Sequence, residues 1–456
     1  MPNPERVSSI DSDTVVLLES WGFTEADLAR IVDKIDQNGR TIVLDMGTLA
    51  LDVDNRDDHS GDPFMGDLAL VDNDNNVTGD ENGLVFHEPP EAAQKEGHPG
   101  GLGNAANAIG KILDAEEDER EFPSEIRGDT RRAVWELMGI TGSDFAADVF
   151  RNKIHPLIGQ ELLIPSDDVK GSGLSDIRVQ AHDSDTGTKQ GDRAIYFRAG
   201  ASGTFKLTPE LLLEALARQP QLMNISYPGL FPEGMDKNED QDFAWSVEQA
   251  QKFCPMVTAD AHGFTKKEHV HGGLGKIDMF NTNVVEAMRI YLGEEIDAEH
   301  EPEGDELYTL HTRLNEAIRG YMEPPTGRTR MFTVSDKGGC FLVFQNTEGE
   351  ISSSYVPSIC AGISAVDKTG AGDVRYGVQR FWAAREKGGE WKNGDFTEED
   401  ARLAVQIGQI ATTLNIQGEE ADALNGVTLQ KLENLTRTGG HFSDIGNLRM
   451  ILREFC

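Results

Sequence analysis

Asp373 comes directly after two glycines and an alanine, in the run Val366-Asp367-Lys368-Thr369-Gly370-Ala371-Gly372-Asp373. Downstream, Val378, Phe381, Trp382 and Ala384 keep roughly helical spacing, so the run reads as a turn that opens a helix. The N-terminus of a helix presents unpaired N–H groups and a partial positive charge. Small residues let an anion come close to those groups. A carboxylate in the same turn can take a proton from a hydroxyl. An anion cradle beside a base is equipment for phosphoryl transfer to an alcohol, where catalysis is mostly positioning and charge stabilisation. The plainer reading is a helix start with flexible glycines and an ordinary acidic residue, and a bare Gly-Ala-Gly-Asp supports either.

Other stretches carry residues that could join such a site. His98-Pro99-Gly100-Gly101-Leu102-Gly103-Asn104-Ala105-Ala106-Asn107 runs into a helix through Ile109 and Ile112. Paired glycines allow a substrate near the backbone, and Asn104 offers donors and acceptors that suit a polyol. Asn283-x-x-Glu286 follows a strand expected at 276–280. Thr333-x-Ser335-Asp336-Lys337-Gly338 reads as a turn between strands at 331–334 and 340–344. His269 and His271, with His262 beside Asp260, form a pattern that can bind zinc or iron, which makes a metallohydrolase the rival enzyme class. No H-x-x-x-H supports that rival, and 269–275 reads as a glycine-rich loop.

The elements that must position these residues alternate between strand and helix from 41 to 416, which argues for an open, mostly parallel sheet with helices on both faces. Continuous apolar runs at 41–47 and 256–260 suit central parallel strands. Further strands are expected at 133–140 and 222–225, and helices at 209–218, 244–253 and 403–414. Residues 1–40 read as an extension packed on the main domain, with a helical patch at 25–35. The main domain covers 41–430, and 431–456 is a C-terminal helical segment. Residues 54–97 are rich in Asp, Asn and Gly around apolar islands at 68–71 and 84–86, and 166–205 holds a hairpin. The inserts 114–130 and 294–328 are charged.

Asp367-x-Thr369-Gly370-Ala371-Gly372-Asp373 resembles the C-terminal signature of the ribokinase-like (PfkB) carbohydrate kinases. Pro99-Gly100-Gly101-x-x-Asn104-x-Ala106 resembles their N-terminal signature, closest to the heptose-phosphate kinase branch. The resemblance implies a three-layer α/β sandwich with an open, mostly parallel sheet and a small β lid near 54–97 and 166–205. It implies ATP-dependent phosphorylation of a hydroxyl on a sugar or sugar phosphate, with ATP and Mg²⁺ as cofactors. Asp373 is then the general base, and Gly370, Ala371 and Gly372 form the anion hole. Asp52, Gly100, Gly101 and Asn104 would hold the sugar, with Asp45 or Asp54 as alternatives to Asp52. Ser335, Lys337, Gly338 and Thr369, together with Gly370 and Gly372, would meet ATP. Asn283 and Glu286 would organise Mg²⁺ through water. A homodimer joined through the lid is also implied. Lys368 departs from the family, which carries a small or hydroxyl residue there. No H-x-G-H nucleotidyltransferase motif is present, unlike in the bifunctional heptose enzymes. A nucleoside kinase of the same fold and a non-catalytic sugar or nucleotide sensor stand as alternatives.

Composition narrows the classes. The formal charge is -37 over 456 residues, and no basic stripe offers a nucleic-acid surface. An anionic nucleotide must therefore find local positive potential at helix N-termini, Mg²⁺ and a few Lys or Arg. Cys254, Cys340, Cys360 and Cys456 are scattered, which suits a reducing cytoplasm rather than a zinc site or disulfide framework. The start Met1-Pro2-Asn3-Pro4-Glu5-Arg6 lacks a basic-then-apolar leader, and no apolar run is long enough to span a bilayer.

Overall fold

The computed structural model describes residues 12–24, 27, 30, 31, 34, 41–47, 49–55, 68–71, 77, 86–119, 134–166, 171–182, 189–205, 207–228, 243–261, 265, 267–294, 302–323, 325–360, 363, 370–415, 424–438, 442, 445, 448 and 451. In chain order these begin with α1 (Ser12–Ser20), β1 (Val43–Gly47), β2 (Leu49–Asn55), β3 (Leu68–Val71), β4 (His98–Gly101), α2 (Leu102–Glu119), β5 (Trp135–Thr141), α3 (Phe145–Lys153) and β6 (Gly159–Pro165). Next come β7 (Gly173–His182), β8 (Lys189–Arg198), α4 (Pro209–Arg218), β9 (Leu222–Ser226), β10 (Met256–Asp260), α5 (Lys267–Leu274), β11 (Met279–Asn283) and the short α6 (Val284–Ala287). The chain continues with α7 (Gly304–Met322), β12 (Arg330–Ser335), β13 (Gly339–Gln345), β14 (Ile351–Pro357), α8 (Ala371–Asn393), α9 (Glu398–Asn415) and α10 (Leu429–Arg437).

The large sheet runs β14-β13-β12-β11-β10-β9-β1-β5-β6. It is parallel from β12 to β6, and β13 and β14 close one edge as antiparallel strands. Helices cover both faces, which is why β1, β9 and β10 are buried along their whole length. One face packs Ile109, Trp135, Phe381, Trp382 and Ile407 beneath α2, α8 and α9. The other packs Leu18, Leu212, Phe280, Leu314 and Phe332 beneath α1, α4 and α7. A second sheet, β3-β8-β7-β2-β4, forms the small lid. Capping is local and conventional: Asp144 accepts from Ala147 N at the start of α3, and Thr208 accepts from Leu211 N before Pro209 opens α4.

Strand periodicity decides which side chains reach the face beneath α8. Val43, Leu222, Met256, Met279 and Met331 belong to the α8-side core, and the residue after each belongs to the opposite core. Alternation then sends Asp45, Asn224, Thr258, Asn281 and Thr333 back toward α8. These polar residues are all buried, and hydrogen bonds join them: Asn224 donates to Asp45, Thr258 to Asn224 and Thr333 to Asn281.

Several boundaries differ from the sequence reading. The lid also takes Leu49–Asn55 and His98–Gly101, which lie largely outside the 54–97 segment. The charged 114–130 insert begins as the last turns of α2, where Ala115 is buried and Glu116 accepts from Arg385 Nη1 at 2.5 Å. Residues 267–274 are helix rather than glycine-rich loop, because Gly273 lets α5 lie against the Phe243 ring. Lys276 N and Ile277 N still bond to Gly273 O, so β11 starts at Met279 rather than 276. In the 1–40 extension a helix at Ser12–Ser20 adds to the expected patch, whose described residues 27, 30, 31 and 34 are helical, and Leu17, Leu18 and Trp21 join the core shared with Leu211. At the other end α10 runs across the expected 430/431 division, with Leu429, Leu432 and Leu435 in the α8-side core.

Candidate active site

Gly370 caps α8 with a left-handed backbone, φ 66°. Ala371, Gly372 and Asp373 form the first turn, so their N–H groups belong to the unpaired end of a 23-residue helix. A Cβ on Gly370 would come within 2.6 Å of Asn104 Cγ. Asn104, in the first turn of α2, donates from Nδ2 to Asp373 Oδ2 at 2.9 Å. The two glycine-rich motifs, 269 residues apart at Asn104 and Asp373, therefore meet in one place. Tyr227 donates its hydroxyl to Asp373 Oδ1. Burial pushes the Asp373 carboxyl up to about 7, Tyr227 and Asn104 pull it down, and the charges of Asp260 and Asp52 push it up. Such a group exchanges its proton near neutrality, as a general base should. Lys368 and Thr369 lie outside the described residues.

The residues expected at the sugar gather around the same carboxylate. Asp52 is buried on β2, opposite His98 on β4, with Nε2 of His98 3.9 Å from Asp52 Oδ2. A Cβ on Gly100 would overlap the Asp52 carboxyl group. Gly101, at φ 56°, ends β4, and α2 begins at the next residue. Asp45 has a different setting: it lies inside the polar row, with Oδ1 accepting from Asn224 Nδ2 at 2.6 Å. Burial pushes Asp45 up to about 7, while Arg380 and Asn224 oppose the shift. The side chain of Asp54 lies outside the described residues.

Asn283 and Glu286 have a structural task. Asn283 Oδ1 accepts from Glu286 N at 2.9 Å, and Glu286 Oε2 accepts from Asn283 N at 2.7 Å. This capping box starts α6. Glu286 is buried, which pushes its carboxyl up to about 8, and the charges of Asp260 and Asp373 act in the same direction. Its neighbours thus include Asp373.

The expected nucleotide turn is fastened to α8. Ser335 Oγ lies 2.6 Å from Tyr376 Oη and 3.2 Å from Thr282 O. Arg375 donates to Gly339 O at 2.9 Å. Gly338 N donates to Asp336 Oδ1 at 2.7 Å, and Asp336 also accepts from Gly339 N and the Tyr355 hydroxyl. The Ser335 hydroxyl and the Gly338 N–H are both engaged within the protein, whereas the Lys337 side chain is 66% exposed with its ammonium 4.0 Å from Glu303.

Sequence reasoning passed over Tyr227, the Asn224 and Thr258 that join Asp45 in one row, and the buried pair of Arg380 Nη2 with Asp260 Oδ2 at 2.7 Å. A signal for the row existed: single polar residues at alternate positions inside otherwise apolar strands. Of the three histidines considered for metal, His262 lies outside the described residues. His269 and His271 lie on α5, where His271 Nδ1 is 3.1 Å from Tyr321 Oη. Among the described residues no group of three metal-ligating side chains occurs.

No family model matches the chain, and no curated protein matches it. Solved structures are similar. Ribokinase from Giardia lamblia has a TM-score of 0.55 at 16% identity, covering 88% of this chain and 99% of that one. Adenosine kinase from Anopheles gambiae, in complex with P1,P4-di(adenosine-5) tetraphosphate, has 0.54 at 16%, covering 84% and 98%. Fructokinase with bound ATP from Xylella fastidiosa has 0.51 at 13%, covering 87% and 98%. At these identities the likeness shows the fold, which is ribokinase-like over nearly the whole length of those chains.

Proposed function

We propose that the chain is an ATP-dependent kinase that phosphorylates a hydroxyl of a sugar or sugar phosphate. The observation that carries this reading is the meeting of Asn104 with Asp373 beside the left-handed Gly370 at the head of α8. Asp373, ionised above about pH 7, takes the proton of the acceptor hydroxyl. The N–H groups of Gly370, Ala371 and Gly372 stabilise the anionic phosphoryl group. Asp52, Gly100, Gly101 and Asn104 hold the acceptor, and the lid sheet covers it and limits loss of ATP to water. In this reading Lys337 and Thr369 meet the nucleotide, while Ser335 and Gly338, engaged within the protein, fix the turn that carries Lys337. Glu286 feels the like charges of Asp260 and Asp373, which a cation held near Glu286 through water would offset; among the described residues no three side chains form a direct metal site. Asn283 and Glu286 would hold Mg²⁺ through water, and bound Mg²⁺ neutralises phosphate charge. The Pro99-Gly100-Gly101-x-x-Asn104 spacing supports the heptose-phosphate branch. The likeness to an adenosine kinase keeps a nucleoside acceptor as the second reading.

A coupled ADP-release assay with Mg·ATP against sugars, sugar phosphates and nucleosides tests the proposal. One acceptor class should turn over, with kcat/KM rising as pH climbs through about 7, where Asp373 ionises. Asp373→Asn should lower kcat by about 10²–10⁴-fold while calorimetric ATP affinity stays near wild type. Turnover in that variant close to wild type would remove Asp373 from the mechanism.

A further inference from the structure

We propose that Tyr227 is a positioning residue for Asp373, aiming the carboxylate through Oδ1 and tying it to the lid. The inference rests on the base role proposed for Asp373. Tyr227 lies one residue past β9 with φ 55°, a left-handed backbone that bulky residues rarely adopt. Its N–H bonds to Asp260 O at 3.3 Å, which anchors the bend to β10. Its ring packs against Ala50 of β2 and Phe197 of β8, both in the lid sheet. From there the hydroxyl reaches Asp373 Oδ1, while Asn104 takes Oδ2. Donors on two separate elements thus fix both oxygens of the carboxylate. A backbone conformation this unfavourable is expected to be kept where the side chain has work to do.

The charges around Asp373 give that bond a measurable consequence. Asp52 from the lid, Asp260 from β10, Asp45 from β1 and Glu286 from α6 are coupled to one another or to Asp373. Among the described residues, Arg380 of α8, paired with Asp260, and Arg289, which pulls the Glu286 carboxyl down, are cations that offset them. The carboxylates oppose ionisation of Asp373, and hydrogen bonds to its charged form offset them. Tyr227 remains a donor throughout the working range, because burial and the Asp373 charge hold its phenol well above the usual value.

Tyr227→Phe keeps the ring on Ala50 and Phe197 and removes the donor alone. The acid limb of kcat/KM should move up by about one pH unit, with turnover at pH 7 down about fivefold and KM for ATP unchanged. A limb coincident with wild type overturns the proposal. The second readout needs no turnover: the ¹³Cγ carboxyl resonance that disappears in Asp373→Asn should titrate at higher pH in Tyr227→Phe than in wild type. An unmoved midpoint also overturns the proposal. A moved midpoint in a protein that phosphorylates nothing on the panel leaves the Tyr227–Asp373 coupling standing and sinks the kinase reading instead.

Discussion

Gly370 shows how much one residue can carry. Its φ of 66° is costly for any residue with a Cβ, by about 1–2 kcal/mol. The added carbon would also press on Asn104, which holds Asp373. Gly370→Ala should therefore lose stability modestly and activity more, with kcat down at least about tenfold as the carboxylate loses its alignment. Steady-state kinetics beside a thermal melt will separate the two effects, and an unchanged kcat would mean that Asn104 yields without disturbing the base. Asp373, Gly370 and Asn104 could be singled out in sequence as candidates because each sits in a short motif. Tyr227 was not, because its hydroxyl and Asp373 are 146 positions apart and nothing local marks the bond.

At the scale of elements, the site depends on how closely α2 approaches α8. Gly377, one turn beyond Asp373, makes that approach: a Cβ there would come within 2.7 Å of Ala105 Cβ. Gly389 on the same helix is exposed, with nothing within 4 Å of an added Cβ. The two substitutions should then have opposite signs. Gly389→Ala should raise the melting temperature through helix propensity, by roughly 0.5–1 kcal/mol of stability. Gly377→Ala should lower it through overpacking, by about 1–3 kcal/mol, and should also reduce kcat because α2 carries Asn104. Equal shifts in the two melts would show that α2 and α8 can separate freely. The helices and central strands were legible from apolar periodicity. The helix at 267–274 was not, because two of the glycines that suggested a loop, Gly272 and Gly273, serve close packing against Ala244 and Phe243.

For the whole molecule, a formal charge of -37 means self-repulsion that folding must overcome. Salt screens that repulsion over about 10 Å at 0.1 M ionic strength. Raising KCl from roughly 0.01 to 0.5 M should increase the melting temperature by several degrees, contrary to the loss expected where surface ion pairs dominate. A flat or falling trend in scanning calorimetry would show that the acidic surface costs the fold little. In the proposed kinase the same field would disfavour an incoming nucleotide at long range, so the positive end of α8 would have to act at close quarters.

The amino-acid sequence by itself determined the alternating α/β architecture, the glycine turn at the head of α8 and the choice of Asp373 as the candidate base, since these depend on residues near one another in the chain. Tertiary structure alone decided that Asn104 and Tyr227 grip opposite oxygens of Asp373, that Asp52 lies against Gly100, and that Asn283 and Glu286 are occupied as a capping box. It also set the proton affinity of Asp373, because burial and the surrounding carboxylates come from elements that meet only when the sheets and helices pack.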